Sequence, residues 1–500
     1  MNERRKIDWF ITLVPFACVV LLAVFFLLNP SLTQVILGNL RFIVGDRLGV
    51  LFLMLGLGCF LTTMYIAFSK VGTIRLGKGE KPQYSNFTWG SMIFTSTMAA
   101  DILFYSLIEW SLYGGEKLVQ KQGLLSWGLT YSLFHWGPIA WSFYLVLAVA
   151  FGYMLHIRGV TKQRFSEACR GLLGDRVDGP LGTLINFVAI FALICGTATT
   201  FSLTTPLIGD IISHLSGVPS SAVLSVLVLF GIALLYTTNV LFGLKGVTRA
   251  AKYCTYLFIA LLLYFLIGGG QIRFTLENGF SSLGMLGQHF IQLATTTDPM
   301  RLNHFPQKWT IYYWAYWMVW AVATPFFIAK ISKGRTLKNL ILGGYGWGLA
   351  GTFSSFIIMG SYGMYLQLTH RLDIIGFIAN GGAYSEAILK IFHTLPMSQI
   401  GLVLLAITMV AFYIAVFDSI TMVVSSYSYR EIEVDQEPDK KIRVIWAIIF
   451  IVLPVALIFN GEGLANLQTI SIIAALPMGV IIVMVVWSFF KDVGRYEQFN

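Results

Sequence analysis

Aromatic side chains are concentrated in one apolar segment, residues 309–320, at a spacing that suits a binding surface. Tyr313, Trp317 and Trp320 stand at i, i+4 and i+7, so one face of a helix would carry three large π surfaces. Aromatic residues at the ends of membrane segments usually form an interfacial belt, which explains Trp309 and Tyr312 well. Trp317 and Trp320 lie two to three turns deeper, so we predict a binding role for them.

A second aromatic group occupies residues 134–144. Trp136 precedes a Gly-Pro pair, and Trp141 and Tyr144 follow it. Gly-Pro inside a helix frees backbone groups and allows a bend, which would bring Trp136 to the cavity that the other two rings face. Rings from two helices would then form an aromatic cage, the usual solution for binding quaternary ammonium groups. Each ring contributes roughly 0.5–2 kcal/mol, so three or four predict a micromolar to millimolar site.

Three carboxylates lie within apolar segments: Asp101, Glu109 and Asp418. Such groups are costly in lipid and are functional by default. Asp101 has no basic neighbour in the sequence, so it must stay protonated or meet a cation. We therefore predict that Asp101 supplies a counter-charge or a proton-coupling site. Glu109 and Asp418 are candidates for ion binding or gating, although Glu109 also suits an interfacial or structural role.

The composition shows which solvent surrounds these residues. Of the 500 residues, 56% are hydrophobic and 12% are charged, against roughly 25% charged in soluble chains. This composition excludes a soluble enzyme, a disordered scaffold and a disulfide-rich secreted module. The five cysteines form no disulfide framework or paired metal motif. We expect no cofactor and no metal site.

The hydrophobic segments predict an all-α polytopic membrane protein, since a bilayer core of about 30 Å requires roughly 20 apolar helical residues. The chain reads as a single transmembrane domain over 1–500, with two extra helices (8–68), a first repeat (88–270), an amphipathic connector (271–308) and a second repeat (309–490). An interfacial helix is predicted at 282–296 and a similar segment at 373–393. The twelve predicted spans are 8–28, 47–68, 88–113, 133–156, 183–209, 222–242, 251–270, 309–331, 342–367, 399–428, 444–460 and 467–490.

The basic residues predict the orientation of these spans. With both termini in the cytoplasm, most of the 34 Lys and Arg residues fall in cytoplasmic loops, as the positive-inside rule requires. The net charge of +10 therefore reflects membrane topology, and no nucleic-acid partner is needed to explain it. No nucleotide-binding loop or hydrolase motif occurs in a plausible context. Any transport would therefore be driven by ion or substrate gradients.

Two stretches resemble the betaine/choline/carnitine transporter (BCCT) family. The first is residues 131–138 (YSLFHWGP) with Trp141 behind it, and the second runs from FPQKWT at 305–310 through YWAYW at 313–317 to AKISKGRT at 329–336. The resemblance covers nearly the whole chain. It implies a LeuT-type five-plus-five inverted repeat on spans 3–12, a homotrimer, and substrates that carry a trimethylammonium group. It also implies a substrate-binding cage formed by Trp136, Trp141, Tyr144, Tyr316, Trp317 and Trp320.

The chain departs from this family pattern at its ion positions. Sodium-dependent members carry Gly-Met-Gly-x-Gly on the third span, where this chain has Thr97, Met98, two alanines and Asp101. Hydroxyls that precede the tenth-span aspartate are replaced here by Val416 and Phe417. The family's sodium-independent exchanger uses Met and Arg instead, whereas the nearest equivalents here are Thr324 and Thr248. Met98 and Thr324 are therefore further candidates for an ion or gating role.

Aspartate at the last position of the glycine motif resembles the choline-transporting branch of the family. Carnitine and betaine carry their own carboxylate, which Asp101 would repel, whereas choline is a cation. The membrane potential alone, at about 2.3 kcal/mol per charge per 100 mV, would enrich a cation roughly fifty-fold. We therefore expect sodium-independent uptake of choline or a similar cation, driven by the membrane potential or by protons.

Two other classes of function stay open. One is uptake or exchange of a zwitterion such as carnitine or glycine betaine, and the other is a membrane sensor or channel. We expect a multi-pass protein of a bacterial cell membrane whose partners are the lipid bilayer, a small quaternary ammonium substrate and two further copies of itself.

Overall fold

A computed structural model describes all residues except 1–5, 78, 80, 99, 161, 241–242, 434–435, 460–463 and 500. Ala99 of the third-span motif and the last residues of the predicted spans 222–242 and 444–460 lie outside the described residues.

The described part of the chain is built from helices. Short π-helical turns lie at Phe42–Arg47, Pro306–Thr310 and Phe356–Gly360, and 3-10 turns lie at Lys70–Thr73, Phe165–Cys169 and Gly174–Asp178. The α-helices are α1 (Trp9–Leu28), α2 (Pro30–Arg41), α3 (Gly49–Phe68), α4 (Asn86–Thr97), α5 (Asp101–Gly114), α6 (Lys117–Gln122), α7 (Leu124–His135), α8 (Pro138–His156), α9 (Arg170–Leu173), α10 (Pro180–Ser216), α11 (Ala222–Val240), α12 (Gly243–Gly268), α13 (Ile272–Thr295), α14 (Ile311–Trp320), α15 (Thr324–Ile331), α16 (Leu337–Ser355), α17 (Ser361–Leu368), α18 (Ile374–Ala379), α19 (Tyr384–His393), α20 (Ser398–Tyr427), α21 (Lys440–Phe459) and α22 (Leu464–Phe499).

These helices provide between ten and twelve candidate membrane spans among the described residues. Ten are single helices or continuous helix runs long and apolar enough to cross a bilayer, and two bent helix pairs raise the number to twelve if each pair is one span. The all-helical membrane fold predicted from the sequence is confirmed at this level.

Several helices extend beyond the predicted segments, and two of them begin shortly after a glycine with a positive φ. The fourth span was expected to begin at 133, but α7 begins at Leu124, directly after Gly123, whose φ of 99° interrupts the preceding helix. The interfacial helix expected at 282–296 is longer, because α13 begins at Ile272, just beyond Gly270 with its φ of 65°. Glycine adopts this left-handed backbone without a steric penalty, so a new helix can begin shortly after it. Both helices therefore start earlier than their apolar pattern indicates.

The two bent pairs meet near their breaks, and we call this place the crossing of the broken pairs. The α4/α5 pair bends by 65°, and the pair formed by Pro306–Trp320 and α15 bends by 53°. At the second break, Pro325 is the second residue of α15, where its missing N–H costs little. The Thr324 hydroxyl donates to the backbone carbonyl of Ser96 at 3.2 Å. This bond joins the break in one pair to the end of α4 in the other.

A third interruption lies between α7 and α8. Trp136 ends α7, Gly137 is extended, and Pro138 begins α8. The Gly-Pro pair therefore separates two helices, and the Trp136 side chain projects from the gap toward the crossing of the broken pairs, where it lines a cavity.

Candidate functional site

A small cavity lies where the three helix interruptions meet, and we call it the aromatic cavity. Its volume is about 10 Å³, roughly the space of one water molecule. A trimethylammonium group could enter only if the rings moved apart. The cavity is lined by Thr97, Met98, Asp101, Trp136, Tyr144, Tyr316, Trp317 and Trp320.

Trp317 is the centre of the aromatic wall. Its ring centroid lies 4.9 Å from that of Tyr144 and 5.8 Å from that of Trp136. Trp320 stands against Tyr316, with centroids 6.4 Å apart. Rings from α7, α8 and α14 therefore converge on one cavity, as the sequence predicts for the cage residues.

Trp141 takes a different place from the other predicted cage residues. It is fully buried and contacts Trp317 at 5.6 Å between centroids and Tyr144 at 6.3 Å, but it is not among the residues that line the cavity. Its indole lies close to Gly348 of α16, where a Cβ atom would collide with the ring. Trp141 thus supports the Trp317 and Tyr144 rings from behind.

Asp101 contributes a carboxyl group to the lining of the aromatic cavity. It is the first residue of α5 and only 4% exposed, and one carboxylate oxygen accepts a hydrogen bond from the Tyr316 hydroxyl at 2.6 Å. The Tyr316 hydroxyl also contacts that of Thr200 on α10. No Lys, Arg or His side chain within the described residues forms a salt bridge with Asp101. A helix N-terminus favours an anion, so Asp101 can face a bound cation as a carboxylate.

The other predicted candidates lie around this centre. Met98 ends α4 and lines the aromatic cavity, whereas Thr324 lies at the crossing of the broken pairs. Glu109 lies two turns beyond Asp101 on α5 and is fully buried. It accepts hydrogen bonds from the aromatic side chains around it, and it is not among the residues that line the cavity.

Asp418 lies away from the cavity lining in a buried ion pair. Its two carboxylate oxygens accept hydrogen bonds from Arg443 at 2.7 Å and from Asn239 at 2.5 Å, and both charged side chains are at most 1% exposed. Together with Asn239, the ion pair links α11, α20 and α21. The neighbouring Phe417 ring lies against Trp320, with the ring centroids 6.2 Å apart. An ion or gating role for Asp418 stays a prediction.

This pairing leads to a stability prediction. We expect Arg443→Met to lower the free energy of unfolding by about 3–5 kcal/mol, because Asp418 would keep a buried charge without its guanidinium partner. Adding Asp418→Asn should restore much of the loss. Thermal unfolding of the purified protein in detergent measures both. Arg273→Met, which breaks an exposed pair with Glu277, is the matched control and should leave the unfolding temperature almost unchanged; equal losses in the two single variants would contradict the assignment.

Sequence reasoning missed a polar stripe along α5. Asp101, Tyr105, Glu109 and Tyr113 follow one another at intervals of four residues, a spacing that places them on one helix face. Three tyrosines of α14 form hydrogen bonds with this stripe: Tyr316 with Asp101, Tyr312 with Tyr105, and Tyr313 with Glu109. The i, i+4 spacing was visible in the sequence, but it does not tell which helix the stripe faces.

Comparison with known proteins gives two findings. The profile described as "BCCT, betaine/carnitine/choline family transporter" matches residues 10–498. A carnitine transporter of Acinetobacter baumannii is 26% identical over 433 residues, which cover 86% of this chain and 78% of the relative. The similarity therefore includes every helix that lines the aromatic cavity.

Proposed function

This chain belongs to the betaine/carnitine/choline transporter family, and from that premise we propose that it takes up choline or a closely related quaternary ammonium cation without sodium. It is a membrane transporter and not an enzyme. The substrate and its driving force are the parts that we infer from the site.

One observation carries the proposal: a buried carboxylate without a basic partner among the described residues lies in the wall of an aromatic cavity. A quaternary ammonium group has no N–H donor, so ring faces can hold it at a low desolvation cost. Asp101 adds a negative charge that complements a substrate with net charge +1 and would repel the carboxylate of a zwitterion. The cage we propose consists of Trp136, Tyr144, Tyr316, Trp317 and Trp320, with Trp141 behind them.

A zwitterionic substrate is the second candidate. The indole N–H groups of Trp317 and Trp320 are buried and have no hydrogen-bond partner within the described part of the chain. Buried donors of this kind are normally satisfied, and an acceptor oxygen on the substrate would satisfy them. A choline hydroxyl can do this, and so can a carnitine or betaine carboxylate. The relative described as a carnitine transporter also favours this candidate.

Uptake into proteoliposomes distinguishes these candidates. With an inside-negative potential, we expect saturable uptake of labelled choline into empty vesicles. An exchanger would accumulate label only in vesicles preloaded with substrate. A channel would conduct without saturation, and a sensor would transport nothing.

We predict that choline uptake in sodium-free buffer equals uptake with sodium within assay error. Val416 and Phe417 are apolar where the family's sodium-dependent members carry hydroxyls, and both oxygens of Asp418 are bonded to Arg443 and Asn239. Buffers in which potassium or N-methylglucamine replaces sodium, all at one fixed membrane potential, provide the controls. Loss of uptake on sodium removal, restored by its addition, would refute this coupling.

The proposal includes the architecture that family membership suggests. We infer a LeuT-type five-plus-five inverted repeat, because the two bent pairs α4/α5 and α14/α15 begin the two predicted repeats, and broken helices at corresponding positions are typical of such transporters. We also infer that the protein is a homotrimer in a bacterial cell membrane, with both termini in the cytoplasm.

A further inference from the structure

The carboxylate of Glu109 is the centre of a fully buried hydrogen-bond network. Its Oε2 atom accepts from the indole N–H of Trp136 at 2.8 Å and from the Tyr313 hydroxyl at 2.7 Å. Its Oε1 atom accepts from the Tyr113 hydroxyl at 2.5 Å. Each of these side chains is at most 2% exposed. Three donors thus point at one side chain.

The network continues in one direction to α7 and the start of the eighth span. The Tyr113 hydroxyl lies 2.7 Å from Nδ1 of His135, and Nε2 of that ring lies 3.0 Å from the Thr310 hydroxyl. With the Tyr113 proton given to Glu109, His135 donates from Nδ1, and a neutral imidazole then accepts from the Thr310 hydroxyl at Nε2. In this arrangement every polar atom of the network is satisfied with Glu109 as an acceptor only.

Trp136 is the member of this network that lines the aromatic cavity. It stands at the end of α7, immediately before the extended Gly137, so helix geometry alone does not determine where its indole lies. The indole N–H bond to Glu109 fixes one edge of the ring, while the ring makes a T-shaped contact with Trp317. A cage wall at a helix interruption therefore depends on a bond to another helix.

We propose that Glu109 is a positioning residue that orients Trp136, and with it Tyr313, and thereby sets the affinity for the substrate's ammonium group. This inference rests on the proposed function but assigns Glu109 a different role from ion binding. Glu109 does not line the cavity, so it acts through the indole and not by contact with the substrate. Both rings bond to the same oxygen, so a glutamine with its amide oxygen at that position could still hold them. A methionine is of similar size and has no acceptor oxygen, so it cannot hold either ring by a bond of this kind.

The structural arm of the test observes the Trp136 indole directly and needs no substrate. The protein is labelled with 5-fluorotryptophan, and the fluorine resonances of Trp136 and Trp309 are identified by their loss in Trp136→Phe and Trp309→Phe. We expect Glu109→Met to shift the Trp136 resonance and to leave that of Trp309 in place. Glu116→Met is the matched control, because Glu116 accepts from the Trp309 indole at 3.0 Å outside the cavity, and should have the opposite pattern.

The functional arm measures uptake kinetics with the same variants. We expect Glu109→Met to raise the KM for choline about ten- to hundredfold, the range for loss of a charge-assisted hydrogen bond, with a smaller effect on kcat. In the Trp136→Phe background the same substitution should add little, because interacting residues are not additive. Glu116→Met should leave KM unchanged. Should Glu109→Met not fold, Tyr113→Phe removes one of the three donors and should shift the Trp136 resonance in the same direction.

The outcomes separate the two proposals. An unchanged Trp136 resonance in Glu109→Met overturns the positioning role, as do additive KM effects in the double variant. A shifted resonance in a protein that takes up no choline, betaine or carnitine supports the positioning of Trp136 and overturns the proposed transport function instead.

Discussion

Replacement of Asp101 by asparagine is expected to reduce choline uptake about a hundredfold. The substitution preserves the shape of the side chain and still accepts a hydrogen bond from the Tyr316 hydroxyl, so it removes charge with little change in packing. At a separation of about 5 Å and an effective dielectric constant of about 20, the carboxylate and an ammonium group attract by about 3 kcal/mol, which corresponds to a factor of about a hundred in affinity.

The measurement is the KM and maximal rate for choline in proteoliposomes, together with competition by glycine betaine. Because the asparagine no longer repels a carboxylate, we expect betaine to compete better against the residual uptake in the variant than in the native protein. Tyr316→Phe is the control: it removes the hydrogen bond but keeps the carboxylate, and should weaken uptake far less. Native choline kinetics in Asp101→Asn would exclude Asp101 from recognition and favour a zwitterionic substrate.

Replacement of Trp317 by leucine is expected to weaken substrate binding at least about thirtyfold. The affinity of Trp317→Phe should lie between those of the native protein and the leucine variant. A desolvated cation over an indole is stabilised by about 2 kcal/mol or more, equivalent to a factor of about thirty. Leucine fills apolar space but has no π face, so the graded series separates a cation–π contribution from burial. Trp317 contacts three other rings, and its loss also loosens the Trp136 and Tyr144 walls.

Trp314→Leu is the matched control on the same helix. Trp314 is buried like Trp317, but it is not among the residues that line the aromatic cavity and packs against Gly56 of α3 and Phe134. Both variants lose an indole from the protein core, so both should lower the unfolding temperature. Only Trp317→Leu should change the KM for choline. Equal effects of the two variants on KM would show that general destabilisation, and not ring contact with the substrate, explains the loss.

Some of the site could be predicted because its signals are local in the sequence. Tyr316, Trp317 and Trp320 lie within five residues of one another, and a helix places them near one face. The Gly-Pro pair marks the interruption that releases Trp136 into the cavity. A continuous apolar segment defines each span, because the bilayer thickness fixes the length of helix that it requires. These features do not depend on which helix packs against which.

The rest depends on contacts between residues far apart in the chain. Asp101 and Tyr316 are separated by 215 positions, and neither position alone reveals the hydrogen bond that joins them. Asp418 is an intramembrane carboxylate in the sequence, but its partner Arg443 lies on another helix. The placement of Trp141 in a second layer follows from its contact with Gly348 of α16.

Hydropathy, charge bias and aromatic spacing thus determined by themselves that this chain is a helical membrane protein and which rings could bind a ligand. The tertiary structure alone decided which carboxylate faces the cavity, which is neutralised by an arginine and which holds an indole in place. The physical reason is that lipid selects helices through the composition of single segments, whereas the state and role of a buried charge are set by the donors and charges that packing brings within a few ångströms.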